Sequence, residues 1–496
     1  MKRERANPAW LTRALDGALW LLVFLLPVKF GGLIIIPDRP ETFVDWQLGR
    51  WPLELAIGWA LLWVALALLR SRRRKEADSL RADVRPPIHE PRGTGILPVV
   101  EPATRNTGKM PVARLLVHGR DAPTYCWWSS LHVGGYSLFA ATVLLWLAAQ
   151  WLAAAASPWP SRAVSVAIFF TATAVFFWIG FAGGADERYW RILGALTVGM
   201  VVVCGVALHQ HFIGFPQTLR DASDAAGTLS PELRERLPDL MAKLRQGRVF
   251  GTLYYPNSLA GFLILVGPPA CCWLWLFLRR RLEGGERLVR WTSAVAAVVL
   301  ACMALWCLLL TESKGGFLML ALALVAGLIF CRPIPVRWRI GVLAALVMLG
   351  AVWFGAAGLR RGVETIEARG DYWRAGLAMI AEQPWLGSGP GTFGLRYVKH
   401  RQADAEWTRL AHNNYLQQWT DSGILGFASY AALWIAALWL GAQRLRREPF
   451  DWLTWATWVG LAAWVGHNLV DFDLYIAAIA WPSFLMAGWM LNRDSS

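Results

Sequence analysis

The sequence predicts an all-α polytopic membrane protein with about 12 transmembrane helices and a large outer loop that carries short helices. Of its 496 residues, 56% are hydrophobic and 31 are Trp, a composition far more apolar than that of a soluble domain. The apolar residues fall in blocks of about 17–22, the length that crosses a bilayer as a helix. Lys and Arg, which give a formal net charge of +15, lie between these blocks, where they set topology.

The charge and the cysteines exclude two other classes of protein. Because the cationic residues flank apolar blocks, the net charge does not indicate a nucleic-acid partner, and we expect none. The seven cysteines lie in or beside apolar blocks, so no disulfide framework is predicted, and no C-x-x-C metal spacing exists. We therefore expect the cysteines to serve as packing residues.

Residues 1–75 hold the first two predicted transmembrane helices. An apolar block near Leu15–Ile36 resembles the start of a signal peptide, but no small-x-small cleavage site follows it. We therefore expect an uncleaved span with its N-terminus in the cytoplasm. A second block at about Leu53–Leu69 ends in a basic run from Arg70 to Lys75, which should stay inside.

Residues 76–130 form a segment of different composition, rich in Pro, Gly, Arg and Thr and without hydrophobic periodicity. Such a segment cannot bury enough apolar surface to offset the entropy lost on ordering. We predict a disordered cytoplasmic insertion.

Ten further apolar blocks complete the predicted set, seven within 131–357 and three within 423–496. Their approximate bounds are Leu131–Ala155, Val164–Ala182, Ile192–Phe212, Ser258–Leu278, Trp291–Leu310, Gly315–Cys331, Ile340–Ala357, Gly423–Ala442, Trp452–Val470 and Leu474–Leu491. Alternating the blocks from a cytoplasmic N-terminus puts the short basic connections on the inside, as the distribution of Lys and Arg requires.

The same alternation places every unusual polar cluster on the outer face. The long loops 214–257 and 358–422 fall there, together with the tight turns Thr311–Gly316 and His467–Asp473. We expect the chemistry in loop 358–422, because it holds the densest mixture of Arg, His, Asn, Gly and aromatic residues.

Two cations close to predicted spans have alternative readings. Arg248, which leads into the span after loop 214–257, can anchor a helix end at the interface or bind an anion. Lys314 lies in a turn too tight to carry its charge far from the membrane. Its side chain can snorkel to the headgroups, or it can join Ser313 and two glycines in receiving an anion.

Loop 358–422 carries three further features. Asp371 can open a short helix that Pro384 closes, and Arg369 would then lie beside the helix end that favours anions. The glycines of Gly387–Gly391 are predicted to permit a tight turn, because the segment lacks the Lys and the preceding strand of a nucleotide-binding loop. His412, next to two Asn residues, has the side chain best suited to exchange a proton near pH 7.

In chain order, the motifs resemble the O-antigen ligase and O-antigen polymerase superfamily of bacterial envelope proteins. They are R-V-F-G-T-x-x-Y-P-N from Arg248, T-E-S-K-G from Thr311, R-x-x-x-W from Arg369 with P-W-L-G-S-G-P-G-T-F, A-H-N-x-Y-L-Q with D-S-G-I-L-G, and a last H-N-L-x-D from His467. The resemblance is specific across about Arg248–Asp473 and only topological before it.

The resemblance implies a helical membrane glycosyltransferase fold in the bacterial inner membrane, with its site facing the periplasm. The implied reaction transfers a glycan from an undecaprenyl-diphosphate carrier to an acceptor hydroxyl, with no metal, nucleotide-sugar or other cofactor. By position, the family's essential loop arginine matches Arg369 and its essential histidine matches His412. The family's earlier arginine is replaced here by Lys314, which keeps the charge but loses bidentate geometry, with Arg248 as a candidate to compensate.

The roles that the resemblance implies divide between catalysis and binding. Arg369 would stabilise the departing diphosphate, and His412 would accept the proton of the attacking hydroxyl or orient it. The aromatic surface of Trp385 could also pack against the sugar or the polyprenyl chain. The residues predicted to bind diphosphate or glycan are Lys314, Arg248, Arg374, Asn413, Trp373 and Tyr415.

Several alternatives stay open. The partner that accepts the glycan can be a glycolipid, a growing glycan or a protein, so ligase, polymerase and protein O-glycosyltransferase share these motifs. From another class, a glycolipid transporter or flippase would also suit 12 spans, but it should place ionisable residues near mid-membrane rather than at one face. A structural scaffold would leave the five motifs unexplained.

Overall fold

The computed structural model describes residues 9–29, 57–61, 136–182, 185–225, 237–238, 241–242, 244–282, 285–356, 359–403, 405–446 and 449–492. Within these ranges the regular structure is entirely helical. Most of the predicted second span, all of the predicted insertion 76–130 and most of the predicted surface helix after Ser230 lie outside the described residues.

Fourteen α-helices have both of their ends within the described ranges. They are α1 Ala9–Lys29, α2 Tyr136–Ala155, α3 Pro160–Phe181, α4 Ala185–His209, α5 Phe215–Ala225, α6 Pro256–Arg281, α7 Glu286–Thr311, α8 Lys314–Phe330, α9 Val336–Ala356, α10 Leu359–Glu382, α11 Phe393–His400, α12 Asn414–Leu445, α13 Trp452–His467 and α14 Ala477–Asn492. A π-helical segment, Gln210–Gly214, joins α4 to α5, and a short 3-10 helix, Asp473–Tyr475, precedes α14.

Five helical segments of the described chain are long and apolar enough to cross a membrane. They are Pro160–Phe181, Asp186–Asp224, Pro256–Arg281, Glu286–Thr311 and Asn414–Arg444. Two shorter apolar helical segments, Ala141–Ala155 and Lys314–Phe330, accompany them. The chain is therefore a helical membrane protein, and the set of 12 spans stays a prediction.

The last helix, α14, lies at the centre of the bundle. Every residue from Ala477 to Leu491 is buried. The contact between α3 and α14 is the most extensive contact between any two helices of the described chain. Gly180 of α3 and Gly488 of α14 make this contact close, because a methyl group on either would overlap the backbone of the other helix. Small residues allow such approach between membrane helices, and the gain is dispersion rather than the exclusion of water.

Helix α12 is interrupted near the membrane end of the predicted outer loop. Ser422 and Gly423 have non-helical backbone angles, and Gly423 has a φ of 67°. A side chain at Gly423 would overlap the carbonyl of Trp385, so the loop can approach the helix at this point. The predicted boundary of this span at Gly423 coincides with the interruption, although the helix itself begins earlier, at Asn414.

One prediction about the loop is wrong. Helix α10 begins at Leu359 and not at Asp371, so Arg369 lies in its interior and no helix N-terminus adjoins it. The charged residues of 359–370 keep this stretch out of the hydrocarbon, but Leu, Arg, Glu and Ala are good helix formers and no Pro interrupts them. Polarity was a correct guide to the loop and a poor guide to the start of the helix.

Candidate functional site

The turn between α7 and α8 exposes helix donors and a cation. Glu312 takes a left-handed conformation with a φ of 52°, and the Ser313 side chain caps α8 by accepting from the Gly316 N–H at 3.3 Å. Lys314 is half-buried, and within the described part of the chain its ammonium group makes no hydrogen bond or ion pair. The turn therefore holds an ammonium group without an ion pair in the described chain, at the positive end of a helix dipole.

Arg248 lies directly beside this turn. Its Nε donates to the Thr311 carbonyl at 2.9 Å, and one terminal nitrogen donates to Asn257 Oδ1 at 3.1 Å. Burial lowers the pKa of the Arg248 guanidinium, the charges of Glu312 and Asp471 raise it, and the charge of Arg369 lowers it further. Arg248 therefore lies within electrostatic range of the turns 311–316 and 467–473 and of the loop 358–422.

Gln210, in the π-helical segment, fixes the backbone that carries Arg248. Its Oε1 accepts from the Gly251 N–H at 2.8 Å, and its Nε2 donates to the Gly251 carbonyl at 2.9 Å. A π-helical turn redirects side chains that a regular helix would place elsewhere, and such turns are frequent at functional sites. No sequence pattern marked Gln210.

Arg369 is half-buried in the interior of α10. The guanidinium makes no hydrogen bond or ion pair with the residues that the structure describes. Its charge nevertheless acts on Arg248, Tyr372 and His412, and it lowers the pKa of each of them. An arginine that is partly desolvated and has no partner in the described chain has donors available for an anion.

His412 lies against two aromatic rings just before α12. Its ring stacks on Tyr372, with centroids 5.6 Å apart, and meets the edge of Phe472 at 4.7 Å. Its backbone has a φ of 50°, a left-handed conformation that non-glycine residues adopt at a cost. A strained, ring-clamped histidine of this kind is held in one orientation.

The electrostatic surroundings keep His412 neutral. Burial lowers its pKa to about 4, the charge of Asp471 opposes this shift, and Arg369 adds to it. At pH 7 the imidazole is therefore uncharged and one ring nitrogen is free to accept a proton. A bound anion that neutralised Arg369 would raise the pKa and strengthen the base.

The other predicted binding residues are found in the same region with contacts of their own. Trp373 donates from Nε1 to the Ala411 carbonyl at 3.1 Å, which fixes the residue before His412. Asn413 caps α12 through its Oδ1, which accepts from the N–H groups of Tyr415 and Leu416 at 3.0 Å each. Both residues therefore orient His412 through the backbone.

Tyr415 and Arg374 point elsewhere. The Tyr415 hydroxyl donates to the Val465 carbonyl at 3.1 Å, so its polar end is used within the bundle. Arg374 pairs with Asp371 at 3.2 Å, one turn back on α10, and its side chain is 60% exposed. A direct role in binding for these two residues, as for Trp373 and Asn413, stays a prediction.

The turn after α13 contributes three residues to which sequence reasoning gave no role. Asp471 is buried; its Oδ1 accepts from the Phe472 N–H at 2.8 Å, and its Oδ2 has no hydrogen-bond partner in the described chain. His467 Nδ1 lies 2.8 Å from Asp473 Oδ2, with both side chains buried. The H-N-L-x-D motif was visible in the sequence, but only the fold shows that this turn lies against His412 and the start of α8.

A buried polar network holds the loop on the bundle. Asp421 Oδ2 accepts from the Gly391 N–H at 2.8 Å and from the Tyr475 hydroxyl at 2.5 Å, while its Oδ1 accepts from Gln417 Nε2 at 2.9 Å. Gln417 Oε1 in turn accepts from the Ala411 N–H at 2.8 Å. One carboxylate therefore fixes the glycine turn and the approach to His412 together.

The glycine turn has the conformation that its sequence predicts. Gly387, Gly389 and Gly391 have φ values of 66°, 106° and 73°, which other residues rarely adopt. The Ser388 N–H donates to the Thr420 carbonyl at 3.0 Å, and the Gly389 N–H donates to the Asp421 carbonyl at 2.8 Å. The prediction of a tight turn at these glycines is confirmed.

The arrangement as a whole combines unpaired cations with a neutral base. Arg369 and Lys314 can stabilise an anion, and Arg248 can add a third positive charge. Among the residues that the structure describes, no group of three or more His, Cys, Asp or Glu residues is placed to hold a metal ion.

Comparison with protein families agrees with this arrangement. Residues 300–431 match the family model described as O-antigen ligase. The match covers Lys314, Arg369 and His412, while Arg248 and the turn 467–473 lie outside it. It supports the O-antigen ligase and polymerase superfamily that the motifs resemble. No curated protein matches the chain.

Proposed function

We propose that this chain, with an O-antigen ligase domain at residues 300–431, transfers a glycan from an undecaprenyl-diphosphate carrier to an acceptor hydroxyl. The observation that carries the proposal is the neutral His412 beside the unpaired Arg369. A glycosyl transfer from a lipid diphosphate needs a proton acceptor on one side and a cationic site for the leaving group on the other. The family match supports the enzyme class. The identity of the donor and the direction of transfer are proposed here.

The proposed step is a direct displacement. The acceptor oxygen forms a bond to the anomeric carbon while the bond between that carbon and the diphosphate oxygen breaks. The proton of the acceptor hydroxyl passes to the free ring nitrogen of His412, and the electron pair of the broken bond leaves on the lipid diphosphate. A single displacement inverts the anomeric centre.

The cations divide the work of holding the leaving group. Arg369 can stabilise charge that develops in the transition state, because within the described residues no carboxylate pairs with its guanidinium. Lys314 and Arg248 flank the same turn and can hold the second phosphate. Lys314 supplies a point charge where the family usually has arginine, and Arg248 supplies the planar donor that lysine lacks.

Membrane topology forms part of the proposal. With 12 spans in the bacterial inner membrane and a cytoplasmic N-terminus, the turn 311–316 and the loop 358–422 face the periplasm. Reporter fusions at Thr104 and Ala403 should then give opposite signals. Identical signals would contradict the alternation on which this topology rests.

The direct test is a transfer assay with purified protein. Undecaprenyl-diphosphate-linked glycan and separate lipid, glycan and protein acceptors should yield a new glycosidic bond with inverted configuration. A glycolipid product indicates a ligase, and a longer carrier-linked glycan indicates a polymerase. If donor crosses vesicles without bond formation, the transporter reading replaces this proposal.

A further inference from the structure

A second buried histidine stands next to the site with one ring nitrogen unused. His467 ends α13, its side chain is 1% exposed, and its Nδ1 lies 2.8 Å from the buried carboxylate of Asp473. Its Nε2 makes no hydrogen bond to any residue that the structure describes. Buried polar atoms normally have partners, so this nitrogen is available to a ligand.

The free nitrogen of His467 faces the start of α8. A Cβ built on Gly315 would lie 3.7 Å from Nε2 and 3.5 Å from Cδ2 of this ring. The first two N–H groups of α8, from Lys314 and Gly315, have no acceptor within the described chain. The free imidazole nitrogen therefore adjoins the N-terminus of a helix of 17 residues, whose first residue is Lys314.

The charges around His467 suit a donor to an anion. Asp473 orients the ring through Nδ1 and stabilises its imidazolium form, in which Nε2 carries a proton to donate. The charges of Arg369 and Asp471 also act on His467, which places it in the electrostatic field of the catalytic loop. The pair of Asp473 and His467 repeats the way in which a carboxylate commonly orients a functional imidazole.

Two glycines make room for this arrangement. A methyl group on Gly261 of α6 would overlap the Asp473 carboxylate. A methyl group on Gly315 would come within 2.9 Å of Val470 and would lie against the His467 ring. Close approach of a ligand to backbone is one of the situations that favour glycine.

We propose that His467, positioned by Asp473, donates from Nε2 to the lipid diphosphate that the first turn of α8 and Lys314 hold. This inference rests on the proposed function and names a further residue of its donor site. His467 holds the diphosphate and does not contact the acceptor hydroxyl, so it contributes to affinity for the donor rather than to proton transfer.

The test uses two amide substitutions that place their nitrogen differently. In His467→Gln the amide nitrogen reaches about the position of Nε2, whereas in His467→Asn it reaches about that of Nδ1 and keeps only the contact with Asp473. Binding of undecaprenyl diphosphate and undecaprenyl monophosphate is measured for each purified variant. A charge-assisted donor is worth enough that His467→Asn should weaken diphosphate binding about 10-fold to 100-fold, and His467→Gln only about fivefold.

The monophosphate lipid and a distant histidine serve as controls. His467→Asn should lose most of its preference for the diphosphate lipid over the monophosphate lipid. Misfolding would instead weaken the binding of both lipids to the same extent. His400→Asn, in a loop helix away from the site, should keep wild-type affinity for both.

If His467→Gln binds the diphosphate lipid more weakly than His467→Asn does, His467 serves only its contact with Asp473, and the inference is wrong. If wild-type protein binds diphosphate lipid and transfers glycan while His467→Asn binds it equally well, this inference fails and the proposed function stands. If the wild-type protein neither binds the lipid nor transfers glycan, the proposed function fails first.

Discussion

The middle and the C-terminal end of helix α10 differ in how their positive charges are paired. At the C-terminal end, Glu382 pairs with two cations, Arg396 at 2.5 Å and Lys399 at 3.0 Å, and its carboxylate lies 3.4 Å from the His400 ring. In the middle of the same helix, Arg369 is half-buried and pairs with no residue that the structure describes. Both positions belong to one loop, so composition alone cannot separate them.

The difference teaches how to tell structural cations from functional ones. A cation that is paired within the loop contributes to the fold and has little capacity left for a ligand. A partly desolvated cation without a partner is costly until something binds it. The following predictions test this contrast, from the largest expected effect to the smallest.

Loss of the base should have the largest effect. His412→Asn should lower kcat by about 10²–10⁴-fold, the usual contribution of a general base. Asn tolerates the left-handed backbone that His412 adopts, so this variant removes the imidazole with little added strain. His412→Ala should lose at least as much activity; near-normal kcat in both variants would remove His412 from the chemistry.

Loss of the unpaired arginine should come next. Arg369→Ala should reduce kcat/KM by about 10²–10³-fold, because a preorganised donor to developing charge is worth about 3–4 kcal/mol. Arg369→Lys should stay badly impaired, since an ammonium group cannot reproduce the planar donors. The matched control is Arg396→Ala on the paired side, for which transfer should stay within about twofold of wild type.

Substitutions of Lys314 should separate charge from geometry. Lys314→Ala should raise KM for the lipid donor by about 10-fold, since a charged hydrogen bond of about 1.5–3 kcal/mol is lost. Lys314→Arg, the residue usual in the family, should be tolerated. Steady-state kinetics with membrane abundance as a control checks both; an active Lys314→Ala variant would mean that the lysine only anchors the turn.

The pH dependence should reveal the lowered pKa of His412. The free-enzyme profile of kcat/KM should fall on the acid side with an apparent pKa of about 4, not at the usual value for histidine. In kcat the same limb should lie at higher pH, because bound diphosphate neutralises Arg369. The free energy of unfolding should also fall at acid pH. His412 has a lower pKa in the folded chain than in the unfolded chain, so the unfolded chain binds the proton more readily, and His412 destabilises the fold as the pH falls from 6.5 to about 4.

Breaking the paired cluster should have the smallest effect. Glu382→Gln removes the carboxylate that Arg396 and Lys399 contact, but the Glu382 side chain is 40% exposed, so solvent screens its ion pairs. Transfer activity should stay within about twofold of wild type. A loss as large as that of Arg369→Ala would show that paired and unpaired cations do not differ in the way proposed here.

The part of the fold that depends on local composition was predictable. Apolar blocks indicated a helical membrane protein and glycines indicated the turn 387–391, whereas the roles that the resemblance gives to Arg369 and His412 stay predictions. The start of α10 was not predictable from polarity, because helix formers continue through its charged residues. Its correction also removes the helix-dipole argument for Arg369.

The contacts that complete the site were not predictable, because they join distant residues. His467 meets Gly315, Asp421 meets Tyr475, and the Asn414 N–H donates to the Asn468 carbonyl at 2.8 Å. No local pattern encodes such pairs, and a single sequence carries no covariation. The strained φ of His412 likewise depends on the surrounding aromatic rings rather than on its own neighbours in sequence.

The turn after α13 determines when the candidate site is complete during synthesis of the chain. The charges of Arg248 and Asp471 act on each other although 223 residues separate them, so the candidate site is incomplete until the turn after α13 has been synthesised. Helix α14, which occupies the bundle centre, immediately follows that turn. A nascent chain that stops before this turn therefore lacks part of the candidate site.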